Sequence, residues 1–291
     1  MPYSYLFRSF MSTTSAPAVL PGALPHRARG CKTPQTVGFH NLRLYTAAPT
    51  ITRCGNRSSA MTPNELPPAT VNFGRNYALY KGLSDAELRD LADIAKLRIR
   101  SEQQYLFTQH TTADQVFNLV TGTALVERMS SSGRRQVLAF LFPGDFVGLS
   151  NSDLREYAVK TLTEVTAYEF NQQKLRSLTE TSPQLKENMK DISANVLAHA
   201  LDQVFILGQK KADERICFLV MMFLQRMPGA TLEHIDLPMT RQDIADYLGL
   251  TVETVSRSLA KLKRENIIST PSRHGLRVED YDEVRRLADI E

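Results

Sequence analysis

Apolar positions recur along this chain in distinct rhythms, and each rhythm predicts a different kind of element. Between residues 103 and 170, short β-rich runs, "QQYLFTQ", "QVFNLV", "TALVERM", "QVLAFLF", "YAVKTL" and "EVTAYEF", are separated by turn signals at Gly122, Ser131 to Gly133 and Pro143 to Asp145. That spacing predicts a small antiparallel barrel or jelly roll. Ahead of it, in "LSDAELRDLADIA", Ser84 and Glu87 form a capping box that opens a short amphipathic helix. From about Ser182 to Gly208 the period lengthens, and Met189, Ile192, Val196, Ala200, Val204 and Leu207 make one stripe along a long helix. Polar Lys186, Asn188, Lys190, Asp191 and Gln203 confine burial to a single partner surface, either a twin helix in a homodimer or the chain's own barrel. Residues 210–227, "KKADERICFLVMMFLQRM", predict a further helix with Ile216, Leu219, Val220 and Phe223 facing a core. The segment "PGATLEHIDLPM" breaks it and supplies a short strand.

The most informative stretch is "TRQDIADYLGLTVETVSRSL", residues 240–259. Thr240 caps a helix from Arg241 whose apolar face is Ile244, Ala245 and Leu248. Gly249 supplies a left-handed corner, Leu250 anchors it, and Thr251 caps a second helix that buries Val255, Leu259 and Leu262. Small Ala245 allows the two helices to cross closely. This is a helix-turn-helix. The second helix presents Glu253, Ser256 and Arg257 from its N-terminal face, a set suited to base edges in a major groove: arginine donates to guanine O6 and N7, and glutamate accepts from cytosine N4. Thr240, Arg241, Gln242, Thr251 and Lys261 are the candidates for phosphate. Beyond it, "NIISTPSRHGLRVE" predicts a β-wing with Arg273 and His274 at its tip.

Charge sharpens this picture by where it lies. The net value of +4 is misleading, because residues 1–64 hold seven Lys or Arg and no Asp or Glu, leaving 28 basic against 31 acidic residues in the rest. Affinity for nucleic acid therefore has to come from local clustering. The Ser, Thr, Pro and Arg-rich opening is expected to be disordered or upstream sequence from a mis-assigned start. With no run of 18 apolar residues, no membrane span is expected. Three cysteines, Cys31, Cys54 and Cys217, give no disulfide framework and suit a cytoplasmic location. Metal-ligand spacing, a P-loop and a nucleophile with its base are all absent from the sequence, so an enzyme is not expected.

The helix-turn-helix strongly resembles the recognition motif of the CRP/FNR superfamily, and "GLTVETVSR" is closest to its FNR and FixK branch. "FLFPGDFVG" and "ADERICFLVMMFLQRM" extend the resemblance over residues 77–291. It implies an α+β protein: a double-stranded β-roll of the cyclic-nucleotide-binding jelly-roll type at residues 65–181, a dimerisation helix at 182–209 and a winged helix-turn-helix at 210–291. It also implies a homodimer on a palindromic promoter site, acting on double-stranded DNA with RNA polymerase as a partner. The stripe from Met189 to Leu207 becomes the expected dimer interface. Glu253, Ser256 and Arg257 fall on the family's base-reading positions. Val252 replaces an arginine of cAMP-responsive members, which favours a TTGAT-type half-site.

Departures from the family bear on the effector. Members that bind cyclic nucleotides carry a Gly-Glu pair and then Arg-Ser or Arg-Thr after "PGDF", whereas here Arg155 precedes Glu156. A phosphate lacking its charge-assisted partners binds poorly, so cAMP is not expected. Cys31 and Cys54 are too few and too far apart for a [4Fe–4S] cluster. No cofactor is expected, the alternative being a haem- or other ligand-responsive sensor with His110 and His199 as axial ligands. Control of low-oxygen, denitrification or nitrogen-fixation genes, mostly as an activator, is the resemblance's further implication.

Overall fold

The computed structural model describes residues 77–272 and 274–289. A 3-10 turn, Ala78–Tyr80, leads into α1 (Asp85–Ile94), whose N-cap Ser84 and Glu87 form the expected capping box. Eight strands follow: β1 (Ala95–Arg100), β2 (Tyr105–Phe107), β3 (Gln115–Thr121), β4 (Ala124–Met129), β5 (Arg135–Leu141), β6 (Phe146–Val147), β7 (Ala158–Thr161) and β8 (Val165–Asn171). They form two antiparallel four-stranded sheets, ordered β1-β8-β3-β6 and β2-β7-β4-β5. The space between them is filled by Phe117, Leu119, Val126, Val159, Val165 and Ala167. This is the β-roll, and six of its strands lie on the six runs read from the sequence. The sequence reading missed β1 and β6. β1 leaves α1 with no loop to mark the change, and β6 is two residues long.

Helix α2 (Gln172–Thr181) was also missed; Asn171 caps it, and Ser182 separates it from the long α3 (Pro183–Gln209). Proline at the first turn of α3 suits a position whose N–H needs no helical partner. Glu87 accepts from the Ser182 hydroxyl, and the buried Asn188 amide donates to the carbonyls of Leu79 and Lys81. Asn188, grouped with the exposed polar residues in the sequence reading, is thus an internal tie.

The C-terminal part contains α4 (Ala212–Arg226), β9 (Ile235–Asp236), α5 (Arg241–Leu248), α6 (Val252–Arg264), β10 (Ile268–Ser269), β11 (Gly275–Val278) and α7 (Tyr281–Ala288). Strands β10, β11 and β9 form the small antiparallel sheet of the wing. Its core takes in part of the β-roll: Val137, Phe140 and Phe142 join Phe223, Ile244, Tyr247 and Leu248 in one buried cluster, separate from the one between the two sheets. Phe140 lies 5.8 Å from Phe223 and 5.0 Å from Tyr247, ring centre to ring centre. Arg226 closes the same joint, giving two hydrogen bonds to Asp145 of the "PGDF" turn, at 2.8 and 2.7 Å.

Candidate nucleic-acid interface

Local chemistry builds the corner between α5 and α6. The Thr240 hydroxyl accepts from Asp243 N–H while Asp243 Oδ2 accepts from Thr240 N–H, so a capping box starts α5. Ile244, Ala245 and Leu248 are buried, and Leu250 N–H returns to the Ala245 carbonyl. Gly249 has φ 62°, a conformation that costs an L-residue about 1–2 kcal/mol. A Cβ there would also stand 3.2 Å from Leu207 Cδ2. Gly249→Ala should therefore lower stability by about 1–2 kcal/mol, read as a fall in midpoint on urea titration. An unchanged midpoint would contradict this account of the corner.

Thr251 caps α6 by accepting from Thr254 N–H at 3.2 Å. The helix buries Val255, Leu259 and Leu262, each contributing about 1.5–3 kcal/mol of hydrophobic stabilisation. Its buried row also takes in Ser258. Glu253, Ser256 and Arg257 all stand exposed on the opposite side. The Glu253 carboxyl is held below its ordinary range by its own backbone N–H at the helix start and by the Thr251 hydroxyl. It therefore stays an acceptor at neutral pH. Arg257 donates to Thr254 Oγ1 at 3.3 Å, which leaves four of its five N–H donors for another partner.

The five phosphate candidates separate in the structure. Arg241 is half-buried, its guanidinium has no carboxylate partner among the described residues, and burial lowers its pKa. A cation in that condition gains from an arriving anion. The others hold internal partners. The Thr240 hydroxyl donates to Asp243 Oδ2 at 2.6 Å, Gln242 Nε2 donates to Asp246 Oδ1 at 2.7 Å, and the Thr251 hydroxyl caps α6. Lys261 Nζ pairs with Asp213 Oδ2 at 2.5 Å and ties α6 to α4. Spacing on one helix showed Lys261 on the right side but not the acid that α4 brings to it. At the wing, His274 Nδ1 lies 3.2 Å from the Leu237 carbonyl, and Arg273 lies outside the described residues. Exposed Lys263 and Arg264, in the last turn of α6, are basic groups the sequence reading did not single out.

Two family profiles match this architecture: the Crp-like helix-turn-helix domain over residues 214–287 and the cyclic nucleotide-binding domain over residues 98–182. The chain is 34% identical over 197 residues to the transcriptional activatory protein AadR of Rhodopseudomonas palustris, covering 67% of this chain and 82% of that one. It belongs to the CRP/FNR family of transcription regulators. Within the family it falls in the FixK-like branch. It is 32% identical over 198 residues to the nitrogen fixation regulation protein FixK of Bradyrhizobium diazoefficiens, covering 67% of this chain and 83% of that protein. The structure of FixK2 from Bradyrhizobium japonicum superposes with a TM-score of 0.63 at 28% identity, covering 67% of this chain and 97% of that one. Members of the CRP/FNR family are regulators and not enzymes.

The long helix of this CRP/FNR chain divides its stripe between two jobs. Ile192 is buried and Met189 half-buried in the core under the β-roll, and Leu207 turns toward the Gly249 corner. These three, expected at the dimer interface, instead pack within the chain, because the first half of α3 lies along the turn at Ala78–Tyr80 and the last turn lies beside α5. Val196, Ala200 and Val204 are exposed, together with Leu197, Leu201 and Phe205, which the sequence stripe omitted. The exposed row is thus wider and starts later than the periodicity suggested.

Within the β-roll, the arginine that follows the "PGDF" turn is turned inward. Arg155 is buried, and its Nη1 donates to the Gly148 carbonyl at 2.7 Å while its Nη2 donates to the Gln115 carbonyl. Its guanidinium also stacks 4.0 Å from the centre of the Phe107 ring. Gly148, at φ 102°, carries no Cβ, and one built there would meet Arg155 Nη1 at 2.8 Å. The arginine fills the space over the glycine and is engaged by the backbone. His110 stands exposed in the turn after β2. His199 lies on α3 near Arg226, Asp145 and Asp202, with its pKa lowered by burial and by Arg226. Cys217 is fully buried in α4 and its thiol is pushed up to about 12 by burial, with nearby carboxylates adding to the shift; Cys31 and Cys54 lie outside the described residues. No helix among the described residues is long and apolar enough to cross a membrane.

Proposed function

We propose that this regulator is a cytoplasmic homodimer that reads a palindromic, TTGAT-type promoter site and activates transcription there in contact with RNA polymerase. The observation that carries the reading is the joint exposure of Glu253, Ser256 and Arg257 on one turn of α6. Two such heads, related by a two-fold axis, meet two half-sites one helical turn apart. The exposed row Val196, Leu197, Ala200, Leu201 and Val204 provides a self-complementary surface for that axis. Arg241, with Thr240, Gln242, Thr251 and Lys261 after exchange of their internal partners, contacts phosphate. The names of its relatives, a transcriptional activatory protein and a nitrogen fixation regulation protein, favour activation and nitrogen-fixation control; low-oxygen and denitrification genes enter this proposal from the family resemblance alone.

Fluorescence anisotropy with a TTGAT palindrome and a scrambled duplex of equal length tests the reading. The palindrome should bind about 10³-fold or more tightly at physiological salt. Equal affinities would refute base reading.

The same protein works without cyclic nucleotide, iron–sulfur cluster or haem in this proposal, and the engagement of Arg155 with backbone carbonyls supports the first of these. Calorimetric titration with cAMP should give no binding heat, and the purified protein should show no Soret band. Micromolar cAMP binding or a haem spectrum would replace this view with a ligand-responsive sensor.

A further inference from the structure

The joint between β-roll and reading head contains a charge cluster that adjoins the end of α5 bearing Thr240 and Gln242. Arg135, the first residue of β5, donates from Nε to Glu127 Oε2 at 2.7 Å and from Nη1 to Asp243 Oδ1 at 2.8 Å and Asp246 Oδ2 at 2.9 Å. Its neighbour Gln136 donates from Nε2 to the Asp246 carbonyl. Glu127 is itself buried and accepts from the Tyr105 hydroxyl at 2.7 Å. Two adjacent β-roll residues thus grip α5 at two successive turns.

We propose that Arg135 is a positioning residue for DNA reading: its guanidinium fixes the angle at which each head is mounted, and so the distance between the two heads of a dimer. The inference rests on the palindrome-reading function proposed above. Stability alone does not explain the cluster. Three carboxylates facing one guanidinium are poorly balanced, and apolar side chains of similar volume commonly hold an interface at least as well. A planar fork adds direction, because each N–H satisfies an acceptor in one orientation only. The surrounding contacts among Phe140, Phe223 and Tyr247 set packing distance more than angle, and the Arg226–Asp145 pair at the same joint holds α4, leaving α5 to Arg135 and Gln136.

The path from the fork to the reading surface is short. Asp243 gives Oδ1 to Arg135 and Oδ2 to the Thr240 cap, so one carboxylate joins the β-roll to the N-terminus of the first helix. Asp246 gives Oδ2 to Arg135 and Oδ1 to Gln242. Both Thr240 and Gln242 stand at the end of α5 proposed to face phosphate. A head freed from Arg135 keeps its own fold, since Val255, Leu259, Leu262 and the Gly249 corner are internal to it. What it loses is orientation.

The test compares wild type with Arg135→Gln on a TTGAT palindrome, the same palindrome with one base pair inserted at its centre, and single-base variants of one half-site. In wild type the insertion should weaken binding about tenfold or more. In Arg135→Gln the intact palindrome should bind about tenfold less well, the insertion penalty should shrink to about threefold or less, and the ranking of half-site variants should be unchanged. An insertion penalty as large in the variant as in wild type would overturn the positioning role, whatever happens to absolute affinity. If Arg135→Gln fails to fold by circular dichroism, Asp246→Asn, which leaves Arg135 two carboxylates, is held to the same readout and decides the matter. Wild type binding palindrome and scrambled duplex alike would instead remove the function on which the inference stands.

Discussion

Arg257→Ala is expected to weaken binding to the palindromic site by about 1–3 kcal/mol per head while leaving the fold intact. The side chain is exposed and its hydrogen bond within the chain is to Thr254 Oγ1, so its removal leaves no buried group unpaired. Surface changes of this kind usually alter stability by less than about 0.5 kcal/mol. Recognition is affected differently. A guanidinium paired with guanine O6 and N7 makes two directional bonds, and a methyl group makes none. The signature is therefore a loss of preference at one base pair of each half-site, with preferences elsewhere retained. Competition binding against a panel of single-base substitutions separates this from a backbone role, in which all sequences would weaken equally and the salt slope would fall by about one. A uniform loss would move Arg257 from base reader to phosphate contact.

A lysine at Leu201 should have a larger effect. Leu201 is 59% exposed in the single chain, beside Leu197 at 60% and Val204 at 69%. In a monomer the substitution adds one more solvated charge to a helix and costs little. In a homodimer it places two ammonium groups near the axis, where like charges repel and desolvation opposes both. Sedimentation should show Leu201→Lys as a monomer at concentrations where wild type is a dimer. Palindrome binding should then fall about 10²- to 10⁴-fold, because the second head no longer arrives at the high effective concentration that a tethered partner provides. Binding to a single half-site should change little. A variant that remains dimeric would show that the exposed row of α3 is not the interface.

The two predictions differ in how much the sequence alone supports them. The helix-turn-helix was legible because everything that makes it lies within twenty residues: two threonine caps, a glycine at φ 62°, and apolar residues every three or four positions. These are local preferences of backbone and side chain, and the same turns that bury Val255 and Leu259 necessarily expose Ser256 and Arg257. Strand identity was equally local, wherever turns punctuated the runs. β1 escaped because nothing punctuates its junction with α1.

The face of α3 was only half legible. Periodicity placed Met189, Ile192, Val196, Ala200, Val204 and Leu207 on one stripe, but a stripe does not say which part meets the chain's own core. The turn at Ala78–Tyr80, brought back over α3 through Asn188, covers the early part, and the Gly249 corner takes Leu207. Periodicity likewise puts Lys261 on the outside of its helix, and only packing brings Asp213 of α4 to it.

The sequence by itself determined that this chain carries a small antiparallel barrel or jelly roll, a long helix and a helix-turn-helix with Glu253, Ser256 and Arg257 outward, since those outcomes follow from caps, turns and period within short segments. Tertiary structure alone decided that Arg155 answers to backbone carbonyls, that the exposed apolar row of α3 runs from Val196 to Phe205, and that Arg135 grips Asp243 across 108 positions of sequence. Contacts of that separation depend on how whole elements pack, and no local preference encodes which distant acid a guanidinium will meet.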